Sequence, residues 1–88
     1  MNYLLIRHKV ADFDKWKPVY EAHAPARQKA GLKEAQLLRN LEDPNEVVLL
    51  FEADDLDATR EFVASSDLRD AMKRSDVVDK PDVYFLSK

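Results

Sequence analysis

The segment Glu46 to Ala53, EVVLLFEA, is apolar in both alternating registers of a strand: Val47, Leu49 and Phe51 fall on one side, Val48 and Leu50 on the other. A strand half exposed to water alternates apolar with polar residues, so a sheet built around this segment must be covered on both faces. The double-sided pattern returns in Tyr3 to Val10, YLLIRHKV, where Leu4 and Ile6 oppose Tyr3 and Leu5. It returns again in Asp82 to Leu86, DVYFL, where Val83 and Phe85 oppose Tyr84 and Leu86. Helices of the same chain can cover one face. The other face needs a second source of cover.

The helices are legible from their period. Phe13, Trp16, Tyr20, His23, Ala24 and Arg27 share one stripe, with Lys15, Lys17, Glu21 and Gln28 opposite, which predicts an amphipathic first helix. Asp14 is its expected N-cap, Pro18 falls near enough to the first turn to be tolerated, and Gly31, the only glycine, is the expected C-terminal stop. Pro25, inside this stretch, removes a helical hydrogen bond and predicts a kink beside His23. Glu34 to Leu41 and Glu46 to Ala53 read as a hairpin around the turn residues Pro44 and Asn45. DDLDATREFVASS opens a second helix with an Asp cap and sets Leu56, Thr59, Phe62 and Val63 on one side. SSDLRDAMKRS adds a short helix with Leu68, Ala71 and Met72 inward, and Asp82 to Leu86 closes the chain as a fourth strand.

The order β-α-β-β-α-(α)-β, with right-handed crossovers, predicts a single α+β domain over residues 1–88. It is a ferredoxin-like βαββαβ sandwich, a four-stranded antiparallel sheet with its helices on one face. About four apolar side chains per copy on the bare face, doubled by two-fold symmetry and each gaining roughly 1.5 to 3 kcal/mol when buried, give on the order of 10 to 20 kcal/mol, enough to offset the estimated 4 to 15 kcal/mol lost on association. The expected partner is therefore a second copy of the chain, and the expected assembly a homodimer.

Composition removes several classes. The chain has 88 residues, 45% hydrophobic and 35% charged, which is too apolar for disorder and too interrupted by charge for a membrane span. The net charge is -3 and the basic residues are scattered, so nucleic acid is not an expected partner. Without cysteine there are no disulfides or thiolate sites, and the six residues before Arg7 are too short for the apolar core of a signal peptide. A cytoplasmic protein is expected. One glycine cannot build a phosphate loop, and two distant histidines make a poor metal site, so no cofactor is expected.

The stretches RHKVADFDKWKPVYEAH, DPNEVVLLFEADDLDATREFVASSDLRDAM and PDVYFL resemble the dimeric α/β-barrel superfamily. Within it, the chain is most similar to the small proteins grouped with antibiotic biosynthesis monooxygenases and polyketide cyclases. The likeness covers nearly the whole chain, and its motifs are signatures of fold more than of chemistry. It implies two sheets facing each other, a pocket between each sheet and its helices, and a small, apolar or aromatic ligand. The chemistry implied is a cofactor-free oxygenation, cyclisation or isomerisation begun by removing a proton. Haem-degrading relatives ligate iron through a histidine on the later helix, and residues 56 to 75 contain none.

In such a pocket His23 is the candidate general base or orienting donor, since imidazole exchanges protons near neutral pH. Trp16 and Tyr20 are the candidate stacking walls, Arg7 or His8 the candidate anion-binding group, and Tyr84 a candidate donor from the last strand. Each has a plainer reading: a half-buried core histidine, core aromatics at helical spacing, and basic side chains reaching the rim. The competing function is a non-catalytic dimer that binds or sequesters a ligand, or acts in stress. The catalytic reading requires a pocket beside His23 larger than a few water molecules.

Overall fold

Asn2–Lys9 form β1, the strand around which the sheet is assembled. In the computed structural model, which describes residues 1–88, β3 (Glu46–Ala53) pairs antiparallel on one side of it and β4 (Asp82–Ser87) on the other. β2 (Leu32–Arg39) adds to β3, giving one four-stranded sheet in the order β2-β3-β1-β4. This is the predicted ferredoxin-like α+β architecture. The register is fixed by alternation: Leu4 stands opposite Phe51 and Phe85, and Ile6 opposite Leu49 and Val83, so one face collects the apolar core.

The helices that cover this face are α1 (Phe13–Ala22), α2 (Ala24–Lys29), α3 (Leu56–Val63) and α4 (Ser66–Arg74). α1 and α2 are the predicted first helix broken in two at His23, with Pro25 in the opening turn of α2. There its missing N–H leaves no helical bond unmade. Trp16 from α1, Phe62 from α3, and Leu4, Ile6, Val47, Leu49 and Phe51 from the sheet form one buried cluster. Thr59, also fully buried, hydrogen-bonds its hydroxyl back to the carbonyl of Asp55 at 2.8 Å, which satisfies it inside the core.

Some boundaries differ from expectation. The N-cap of α1 is Asp12, not Asp14: its backbone is extended and its carboxylate accepts from the amide of Asp14 at 3.0 Å, so the helix begins earlier. β2 spans Leu32–Arg39 and not Glu34 to Leu41, because Asn40 turns the chain by accepting from the amide of Glu42 at 2.8 Å. The hairpin turn is as read from Pro44 and Asn45, closed by the amide of Glu46 on the carbonyl of Asp43 at 2.9 Å.

The second face of the sheet has no cover within the chain. Tyr3 and Leu5 from β1, Val48 and Leu50 from β3, and Tyr84 and Leu86 from β4 share it, and Tyr84 is 54% exposed.

Candidate functional site

A cavity of about 40 Å³ lies between the core face of the sheet and helices α1, α3 and α4. Its walls are mostly apolar, with Ile6, Leu49 and Phe51 from the sheet, Phe62 from α3, and Leu68 and Met72 from α4. Into these walls the chain sets five polar side chains: His8, Tyr20, His23, Arg27 and Ser75.

Helical spacing brings Trp16 and Tyr20 together on the inner side of α1, their rings stacked at 4.8 Å between centroids and 22° apart in plane. His8 extends this stack from the strand, its imidazole edge-on to Trp16 at 5.7 Å. At the other end the guanidinium of Arg27 lies 3.8 Å over the ring of Tyr20 and donates to that residue's carbonyl at 2.8 Å. The phenol of Tyr20 donates to Glu34 Oε1 at 2.6 Å. Burial first, and then this bond to a carboxylate, raise its pKa, so it stays protonated. Burial lowers the pKa of Arg27.

His23 occupies the break between α1 and α2, tilted against Phe62 at 5.7 Å. Its Nε2 donates to Oδ2 of Asp67, in the first turn of α4, at 2.8 Å. The histidine side chain is only 9% exposed and the aspartate 63%, so the pair spans the boundary between cavity and solvent. A carboxylate on one ring nitrogen orients the imidazole, the arrangement by which an acid supports a histidine base.

His8 is 2% exposed. Burial is the main cause that lowers its pKa to about 4, so at neutral pH the ring is uncharged. An uncharged ring offers an anion no opposite charge, and Arg7 lies apart from the cavity. Its neighbour's inward direction turns it to the open face, where it donates to Asp82 at 2.7 Å, Asp79 at 3.0 Å and Glu46 at 3.1 Å. Tyr84 shares that open face with Leu5, away from the cavity. Of the expected site residues, the fold thus gathers His8, Trp16, Tyr20 and His23, and leaves Arg7 and Tyr84 outside. Arg27, Phe62 and Asp67 join the site unannounced: Arg27 was visible only as a member of the first helix's stripe, and Asp67 had the ordinary look of a helix-start acid.

The volume bears directly on chemistry. About 40 Å³ accommodates a few water molecules, far less than the roughly 300 to 1,000 Å³ of pockets that enclose drug-sized ligands. An aromatic guest does not fit the cavity in this conformation, which weighs against the catalytic reading and makes binding of any such guest depend on the cavity widening.

The fold and this cavity define an α+β protein of the ferredoxin-like class with a small apolar chamber between sheet and helices. Solved structures with this fold include a protein from Bordetella bronchiseptica assigned by likeness as an antibiotic biosynthesis monooxygenase, at a TM-score of 0.77, 18% identity, and coverage of 99% of this chain and 95% of that one. Another is SnoaB, a cofactor-independent oxygenase from Streptomyces nogalater, at a TM-score of 0.76 and 17% identity over 99% of this chain and 91% of that one. A conserved protein from Methanosarcina mazei Go1 matches at 0.74 and 12% identity, over 99% and 91%. The resemblance to antibiotic biosynthesis monooxygenase-like proteins therefore extends along the whole chain, as a likeness of fold. No protein-family model and no curated protein matches the chain. No helix is long and apolar enough to cross a membrane.

Proposed function

We propose that this protein binds a small, largely apolar molecule in the cavity beside His8, Trp16, Tyr20 and His23, as one half of a homodimer closed over the open sheet face. The observation that carries the reading is the aromatic stack His8–Trp16–Tyr20, topped by Arg27, along a chamber with otherwise apolar walls. Planar conjugated molecules suit such walls. The small resting volume makes entry depend on movement of α4, whose Leu68 and Met72 line the outer wall. A thermal-shift screen with quinones, flavonoids and lactones tests binding. Stabilisation by at least one class, lost when Tyr20 and Trp16 are replaced by Ala, supports the reading; no stabilisation by any class counts against it.

A second reading, turnover by a cofactor-free oxygenase, cyclase or isomerase, is favoured by the His23–Asp67 pair and by the shared fold with SnoaB. His23 would then take a proton from the bound substrate. His23→Ala distinguishes the two: it abolishes turnover and spares affinity if His23 is the base, and no turnover of any bound ligand by the wild type leaves a binding protein.

A further inference from the structure

A second space adjoins the aromatic stack. A polar groove of about 280 Å³ lies between α2 and the start of the edge strand β2, walled by Gln28 from the helix, Glu34 from the strand, and Gly31 and Asp54. One side chain, Arg27, lines both this groove and the chamber. Its guanidinium sits 3.8 Å over the ring of Tyr20, from α1, and 6.0 Å from the ring of Phe51, from β3, so it plugs the gap between helix and sheet. A second contact closes the same wall. The phenol of Tyr20, on the chamber side, donates to Oε1 of Glu34, on the groove side, at 2.6 Å.

Neither closure is strongly held. Arg7 pairs with three carboxylates, whereas Arg27 has none at ion-pair distance and gives its hydrogen bond to a neutral acceptor, the carbonyl of Tyr20, at 2.8 Å. Burial disfavours its charge, and swinging outward into a polar groove restores the hydration that the closed position removes. Glu34 is exposed, so water can replace the phenol at its carboxylate. We infer that Arg27 and the Tyr20–Glu34 bond form a gate, and that opening it joins the chamber and the groove into one pocket. Joined, the two reach the lower end of the roughly 300 to 1,000 Å³ of pockets that enclose drug-sized ligands. The use of the gate rests on the small-molecule reading above: a guest admitted past α4 gains room for its far end, its apolar part along Trp16 and Tyr20 and a polar end in the groove.

Trp16, the only tryptophan, is 3% exposed and lines the chamber, so its fluorescence reports the opening without any ligand. The rate constant for its quenching by acrylamide is measured in the wild type, Glu34→Ala and Arg27→Met, each checked for folding by circular dichroism. Either substitution should raise it about fivefold, the change in opening that loss of one hydrogen bond brings. Glu34→Ala, at an exposed position, carries the test alone if Arg27→Met does not fold. The route is tested by a plug: the chain has no cysteine, so Asp54→Cys in the groove wall can be labelled selectively with a bulky maleimide. In the double variant Glu34→Ala/Asp54→Cys the label should return quenching to near the wild-type rate. Unchanged quenching in the folded single variants, or raised quenching that the plug leaves in place, overturns the gate. Because the free protein is measured, a failed ligand screen removes the use of the gate and not the gate, and a failed gate leaves binding to be decided by the screen.

Discussion

The imidazole of His8 stands edge-on to the indole of Trp16, with ring centroids 5.7 Å apart at 65°, and both residues are buried. A protonated ring there would be stripped of water, which is why its pKa falls to about 4 from the ordinary 6.5. The unfolded chain therefore binds a proton that the folded chain refuses between those values. Above pH 6.5 His8 contributes no pH dependence; as pH falls from 6.5 towards 4 it destabilises the fold, on the order of 3 kcal/mol in all at 1.36 kcal/mol per pH unit. Urea melts of the wild type and His8→Phe across this window should show the acid-side loss in the wild type and a smaller one in the variant. Parallel curves would refute it.

The same double-sided apolar pattern that makes the sheet easy to read makes His8 and Arg7 hard to tell apart. Successive strand residues point to opposite faces, so one of the two had to face the helices. With Leu4 and Ile6 on one side and Tyr3 and Leu5 on the other, hydrophobicity does not choose. The choice is made at long range: Asp79 and Asp82, more than seventy residues away, capture Arg7 on the open side. Asp67 was illegible for a related reason, since a helix-start acid is explained by capping until the fold lays His23 beside it. Elements with a strong period, such as β3 and the inner sides of α3 and α4, were legible to within a residue or two. The volume left between packed side chains is encoded in no local pattern.

Gly31 follows α2 with φ +77°, the left-handed conformation that ends a helix at little cost only without a Cβ. Its amide bonds the carbonyl of Gln28 at 3.0 Å and its carbonyl receives Asp54 at 3.1 Å, so the turn joins α2 to the start of β2 and the end of β3. A Cβ would meet Asp54 at 3.5 Å, an ordinary contact, so the backbone conformation is the whole penalty. Gly31→Ala should lower stability by about 1 kcal/mol, and Gly31→Asn by less, both measured by denaturant midpoint.

Arg7 is ringed by Asp82, Asp79 and Glu46. Its hydrogen bonds, to Asp82 first and Asp79 second, hold the guanidinium charged. Burial pushes the Asp79 carboxyl up, but the Lys9 amide and Arg7 prevail and hold it below the usual carboxylate range. A depressed carboxylate pKa contributes stability above its unfolded value, near 3.9, and loses it as pH falls through the folded value. Arg7→Met leaves three like charges together, so its melting temperature should drop at pH 7 and the gap to wild type should narrow as pH falls below about 4. A gap that is constant with pH would mean the loss is one of packing.

Leu5 lies between Leu50 and Tyr84 at the centre of the open sheet face. If that face is closed by a second copy, a charge there is buried without a partner and the dimer fails. Sedimentation at micromolar concentration should find two copies for the wild type and one for Leu5→Glu, the variant remaining folded by circular dichroism. A stable single copy of the wild type, its sheet wet on one side, would remove the homodimer.

His23 and Asp67 connect the α1–α2 break to the first turn of α4, and α4 supplies the cavity wall formed by Leu68, Ala71 and Met72. Because Asp67 is largely exposed, the pair contributes little to global stability, under about 1 kcal/mol. Its position gives it more influence over local opening, since few other polar bonds fasten this end of α4 to the helix opposite. Asp67→Ala should therefore leave the denaturant midpoint nearly unchanged and speed hydrogen exchange of the α4 amides several-fold relative to those of β1 and β3. The same variant should accelerate association of any ligand that needs the cavity to widen. If exchange in α4 is unaltered while ligand association is also unaltered, the helix is not held by this pair, and the room an aromatic guest requires has to come from rotation of Met72 and Leu68 within a fixed frame.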